Sequence, residues 1–114
     1  MKLIRFYTRP ENMENIREKL FEMGAPGLSV TDALGIGKPL GQMTHEKGEP
    51  AHLPQFRKRI CVEVVADDKD TQALAASLAE LCRTGKFGDG KIFIINVDDA
   101  IRVRTGERGA DSLY

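Results

Sequence analysis

The sequence has no surplus charge of either sign. Lysine and arginine total 17, aspartate and glutamate total 17, and the formal net charge is zero. A general nucleic-acid binder needs excess positive charge to displace counterions from phosphates, so no nucleic-acid partner is expected. Cysteine is scarce. Cys61 and Cys82 are the two present, too few for a disulfide framework, and they read as small apolar core residues. Long apolar runs are absent as well. No stretch approaches the roughly 18 residues that span a bilayer, so direct membrane insertion is not expected. Residues 1–10 carry Lys2, Arg5 and Arg9 among their apolar positions, which does not resemble a secretion signal, and a cytoplasmic location is expected. Aromatic residues make up only 6%, and Phe6 and Tyr7 read as sheet packing rather than a stacking platform.

What remains is an ordinary globular composition: 114 residues, 41% hydrophobic and 30% charged. That fits one domain spanning residues 1–114, with a modest core that oligomer formation would help.

Residues 2–9 (KLIRFYTR) predict a first strand, ended by Pro10, which suits the first turn of a helix. Met13, Ile16, Leu20 and Met23 recur at helical spacing and predict an amphipathic helix over 11–23, with Gly24 as its C-terminal cap. Residues 28–34 (LSVTDAL) alternate as a second strand. Residues 35–55 are rich in glycine and proline with little periodicity, and predict a long exposed arm. Residues 59–66 predict a third strand with Ile60, Val62 and Val64 on one face. Asp67 and Asp68 suit the start of a second helix, whose apolar stripe is read as Leu74, Leu78, Leu81 and Cys82. A glycine-rich turn over 84–91 leads into 92–97 (IFIINV), whose nearly continuous apolar run predicts a central, buried strand. The order βαββαβ predicts an α+β, ferredoxin-like fold: an antiparallel sheet with two helices on one face. The opposite face would be exposed unless copies of the chain cover it.

Two segments carry chemistry. In TGKFGDGK (84–91), Gly85, Gly88 and Gly90 let backbone N–H groups approach a ligand, and Lys86 and Lys91 add positive charge; together they suit a phosphate chain. The spacing from Gly85 to Lys91 also matches a Walker loop. However, Ile92 replaces the needed hydroxyl residue, and the loop precedes a strand rather than a helix. In IRVRTGERG (101–109), Arg102 and Arg104 would point to one side of an extended chain, where guanidinium forks clamp phosphates.

The combination of TGKFGDGKIFIINV with IRVRTGE resembles the C-terminal signature of the PII signalling family. GLSVTDALGIG at 27–37 and VVADD at 64–68 agree more loosely. The resemblance implies a ferredoxin-like homotrimer that binds ATP or ADP in clefts between subunits. It places Gly88, Asp89, Gly90 and Lys91 around the phosphates, with Gly37 and Lys38 beside them. Arg102 and Arg104 would reach across the cleft, and Ser29 and Val64 would border the adenine. Residues 35–55 would form the T-loop, the arm with which that family grips an enzyme or a membrane transporter. Lys58 stands where the family pairs a 2-oxoglutarate carboxylate.

The arm departs from the pattern. Pro39 replaces the glutamine that helps hold magnesium and 2-oxoglutarate, which leaves magnesium open and weakens the case for 2-oxoglutarate sensing. Ala51 replaces the tyrosine that some members modify. The glutamate usually beside the adenine falls on Val62, with Glu63 next to it. His45 and His52, near Glu46 and Glu49, read as solvated side chains rather than metal ligands.

The sequence therefore predicts a nucleotide-sensing regulator of nitrogen or related metabolism, with no catalytic residues and no metal site. The alternatives are a regulator on the same scaffold that reads a metal ion or bicarbonate, and a weak ATPase with Asp89 as its sole loop carboxylate.

Overall fold

The computed structural model describes residues 1–37 and 54–114. Among the described residues the chain forms β1 (Lys2–Thr8), α1 (Met13–Glu22), β2 (Ser29–Gly35), β3 (Arg57–Ala66), α2 (Asp68–Cys82) and β4 (Lys91–Asn96), with 3₁₀ turns at Pro10–Asn12 and Gly109–Ser112. The strands form one antiparallel sheet in the order β2-β3-β1-β4. This is the expected ferredoxin-like α+β fold.

Local chemistry explains the element ends. Pro10 opens the 3₁₀ turn that leads into α1, where its missing N–H costs nothing. Gly24, at φ 69°, ends α1. Its N–H donates to Phe21 O and the Ala25 N–H donates to Leu20 O, the paired bonds of a Schellman cap. Asp67 caps α2 by accepting from the Lys69 N–H, and the Thr71 hydroxyl donates to the Asp67 carbonyl.

Period-two alternation sorts the strands into two faces. Ile4 and Phe6 of β1 and Ile60, Val62, Val64 and Ala66 of β3 are buried under the helices. Ile16 and Leu20 of α1 and Thr71, Leu74, Ala75, Leu78 and Cys82 of α2 meet them there. The predicted stripe of α2 is corrected at one position: Leu78 is fully buried, but Leu81 is 37% exposed. A stripe on a helix of 3.6 residues per turn runs 71, 74, 75, 78, 82, and position 81 falls beside it. Met13 and Met23, at the two ends of the α1 stripe, are also partly exposed.

The last strand is the larger correction. Among the described residues β4 pairs only with β1 and lies at the sheet edge, not at the centre. Its apolar run is continuous because both of its faces are apolar. Ile92 and Ile94 are paired with Phe6 and Ile4, on the helix side, while Phe93 and Ile95 are paired with Arg5 and Leu3 on the open side. Phe93 is 46% exposed. The open face carries Leu3, Tyr7, Val65, Phe93 and Ile95, with Tyr7 and Phe93 in edge-to-face contact at 6.3 Å. Within it lies the ion pair of Arg5 and Glu63, at 2.9 Å.

Candidate functional site

The glycine-rich loop joins α2 to β4, so its geometry follows from turning a helix end back into the sheet. Gly85, Gly88 and Gly90 all have positive φ, where a side chain would strain the backbone. Gly90 is held hardest: a β-carbon there would fall 1.8 Å from Tyr7 O.

Asp89 ties the loop shut. One carboxylate oxygen accepts from the N–H groups of Thr84 and Gly85, at 2.7 and 2.8 Å. The other accepts from the Thr84 hydroxyl and from Arg9 Nη1, the latter at 2.8 Å. Arg9 also donates to Phe87 O, and the Thr8 hydroxyl donates to Asp89 O. The Thr84 hydroxyl and the Arg9 guanidinium, with the backbone N–H groups, hold the Asp89 carboxyl well below the usual carboxylate range. Its negative charge is spent inside the loop.

Above this loop, on the open face of the sheet, lies a cavity of about 470 Å³. Gly37, Gly88, Asp89, Gly90 and Lys91 line it, so the structure brings these predicted residues together. Lys86, expected to add positive charge, joins them, and so do Tyr7, Arg59 and Phe87, which sequence reasoning did not place at the site. Among the described residues, Arg59, Lys86 and Lys91 are its cationic side chains. With Asp89 already neutralised by Arg9, the cavity is suited to an anion.

The other predicted residues fall elsewhere. Ser29 lies on the same open face and lines a second cavity of about 590 Å³ with Leu3, Leu28, Glu63, Val65 and Leu113. From Ser29 to Ala33, at the edge of the first cavity, is four residues of β2, about 13 Å. Val64 does not reach this face with its side chain; it is buried in the core at 1% exposure. Lys58 pairs with Leu34 on the helix-facing side of the sheet and lines a different cavity with Pro10 and Asp32. Val62, opposite Val30, is buried on that side too.

Lys58, Val62 and Val64 all face the helix side for one reason. Ser29 is paired with Glu63, and Ala33 with Arg59. On the open face of β3 the positions that line the two cavities are therefore Arg59, Glu63 and Val65, each one residue along from Lys58, Val62 and Val64. A one-residue offset moves every side chain of a strand to the other face. The signal was available: an apolar face of Ile60, Val62 and Val64 already sends Arg59, Glu63 and Val65 the other way.

Arg102 and Arg104 do not lie along an extended strand. Residues 101–108 form a small hairpin, with an Ile101–Arg108 bridge and the Arg102 N–H donating to Glu107 O. Gly106, at φ 76°, permits the turn. Arg102 Nη1 lies 3.0 Å from Glu107 Oε1, and Nη2 donates to Tyr114 O. Arg104 is exposed. Neither arginine lines the glycine-loop cavity of its own chain. Lys38, Pro39, His45, Glu46, Glu49, Ala51 and His52, and most of the 35–55 arm, lie outside the described residues. Among the described residues no cluster of histidine, cysteine, aspartate and glutamate could hold a metal ion, and no helix is long and apolar enough to cross a membrane.

Comparison with known proteins agrees with this geometry. Residues 1–107 match the family described as Nitrogen regulatory protein P-II. The Nitrogen regulatory protein P-II of Rhizobium meliloti (strain 1021) is 36% identical over 113 residues, covering 99% of this chain and 100% of the relative. That of Cereibacter sphaeroides is 38% identical over the same shares. Nitrogen regulatory protein GlnK2 of Haloferax mediterranei is 35% identical, covering 99% of this chain and 91% of its own length. Among solved structures, B. subtilis GlnK superposes with a TM-score of 0.84 at 26% identity, over 98% of this chain and 97% of that one. The fold, the glycine loop and these relatives lead to one conclusion: the chain is a PII-type signalling protein and belongs to the P-II nitrogen regulatory family.

Proposed function

We propose that this chain assembles as a homotrimer, binds ATP or ADP in the clefts between subunits, and regulates a partner enzyme or membrane transporter through the arm at 35–55. The observation that carries the reading is the pair of cavities on one sheet face. A cationic, glycine-lined cavity lies at one end and the Ser29–Glu63 cavity at the other, separated by about the length of an extended adenine nucleotide. The phosphates would lie against Gly88, Gly90, Lys91, Lys86 and Arg59, and the base near Ser29, Glu63 and Val65. Arg102 and Arg104, which do not line this cavity of their own chain, would serve a neighbouring copy. The open face with Leu3, Tyr7, Val65, Phe93 and Ile95 supplies apolar surface for that neighbour to cover.

The ATPase reading is the weaker one. Both carboxylate oxygens of Asp89 are filled by four donors, which leaves it unsuited to accept a proton from an attacking water. Titrating the nucleotide-loaded chain with magnesium, 2-oxoglutarate, bicarbonate and other divalent metal ions tests which further signals the arm reads. A cytoplasmic location suits a regulator of nitrogen or related metabolism.

Isothermal titration of the purified chain with ATP and ADP, alongside sedimentation equilibrium, tests the proposal. It expects a trimer and saturable binding at micromolar concentration. A monomer, or a chain that takes up neither nucleotide, would overturn it.

A further inference from the structure

Arg5 and Glu63 meet on the open face in an asymmetric way. Arg5 Nε and Nη2 both donate to the same carboxylate oxygen, Glu63 Oε2, at 3.1 and 2.9 Å. A guanidinium fork facing a carboxylate can engage both oxygens; here it stacks two bonds on one. No donor among the described residues reaches Glu63 Oε1. Glu63 lines the cavity that holds Ser29, and its side chain is about one-third exposed.

We infer that Arg5 is a positioning residue that gives the base pocket its selectivity, by tying up one oxygen of Glu63 and presenting the other as a single acceptor. This rests on the nucleotide reading above. A lone carboxylate oxygen accepts one N–H bond from the exocyclic amino group of adenine. Guanine offers a carbonyl oxygen at the corresponding edge, which the carboxylate repels. Its other edge offers two parallel N–H donors, which a carboxylate matches only with both oxygens. Arg5 removes that second option. The hydrogen bonds to Glu63 and its negative charge raise the Arg5 pKa above its usual value, so Arg5 stays a cation beside it. Arg5 itself touches the base in neither case; it works through Glu63.

The test is the ratio of ATP to GTP affinity, measured by calorimetry on the full chain. The wild-type chain should prefer ATP. Arg5→Met keeps the aliphatic stem but frees Oε2, and the preference should fall on the order of tenfold, the worth of one charge-assisted hydrogen bond. Glu63→Gln replaces an acceptor oxygen with an amide that can donate to the guanine carbonyl, and should shift the ratio the same way. Binding of inorganic tripolyphosphate, which engages only the glycine-loop end, should stay unchanged in both variants. An unchanged ATP-to-GTP ratio in both, or equal weakening of ATP, GTP and tripolyphosphate, overturns the inference while leaving nucleotide binding intact. A wild-type chain that binds no nucleotide fails earlier, at the functional reading itself.

Discussion

Gly90 packs against the backbone of Tyr7 so closely that a β-carbon would fall 1.8 Å from the Tyr7 carbonyl oxygen. Backbone, unlike the end of a flexible side chain, cannot swing aside. The contact joins the glycine loop to β1 and sets where the anion cavity opens. Gly90→Ala adds that clash to the strain of φ 105°, and should cost roughly 2–4 kcal/mol. Gly85→Ala adds strain alone, since nothing lies within 4 Å of its added carbon, and should cost about 1 kcal/mol. Urea unfolding of the two variants measures the difference; equal losses would show that the Tyr7 contact does not matter.

Asp89 predicts an acid-sensitive loop. Its folded carboxyl titrates below the usual range because the Thr84 hydroxyl and Arg9 bond its ionised form. A depressed folded value means that the stabilisation is complete above the unfolded carboxylate value of about 3.9, and is lost as pH falls through the folded value. Wild type should therefore exceed Asp89→Asn in urea midpoint at pH 7, with the gap narrowing as the pH is lowered below about 4. A gap of constant size from pH 7 to pH 3 would contradict this account.

The face assignment of β3 gives a contrast between neighbours. Arg59 lines the anion cavity, whereas Lys58 lies on the other side of the sheet. Arg59→Met should weaken ATP binding on the order of tenfold, as expected for losing a charge-assisted bond to phosphate. Lys58→Met should change it less than about twofold, within the small effect expected of a remote surface charge. Calorimetry decides, and the reverse ranking would restore Lys58 to the site.

Leu78 and Leu81 separate core from surface on α2. Leu78 is fully buried and Leu81 is 37% exposed. Leu78→Ala should lose about 2–5 kcal/mol. Leu81→Ala should lose about 1 kcal/mol or less, because most of its truncated surface was already wet. Equal losses in denaturant unfolding would place Leu81 back on the buried stripe.

These contrasts mark how far the sequence could be read. The helices and the first three strands were legible because each carries its own period, and the glycine loop was legible because glycines, lysines and the helix-to-strand transition lie together in the chain. Asp89 was legible only as a carboxylate among glycines; that Arg9 and Thr84 occupy it became visible once β1 lay beside the loop. Arg102 and Arg104 were read as an extended pair, but residues 103–105 form a turn that Gly106 allows. Lys58 and Val64 were placed on the ligand side by resemblance alone, against the apolar alternation of the same strand.

The order of elements, the turn chemistry at Pro10 and Gly24, and the anion-suited loop are local properties of this chain, settled by backbone sterics and by residues close in sequence. Which strand is central, which face of β3 meets a ligand, and that Arg5 grips Glu63 depend on strands far apart in the chain coming into register. Pairing of that kind turns on a single residue of offset, and only the folded sheet, with one face packed under the helices, sets that offset.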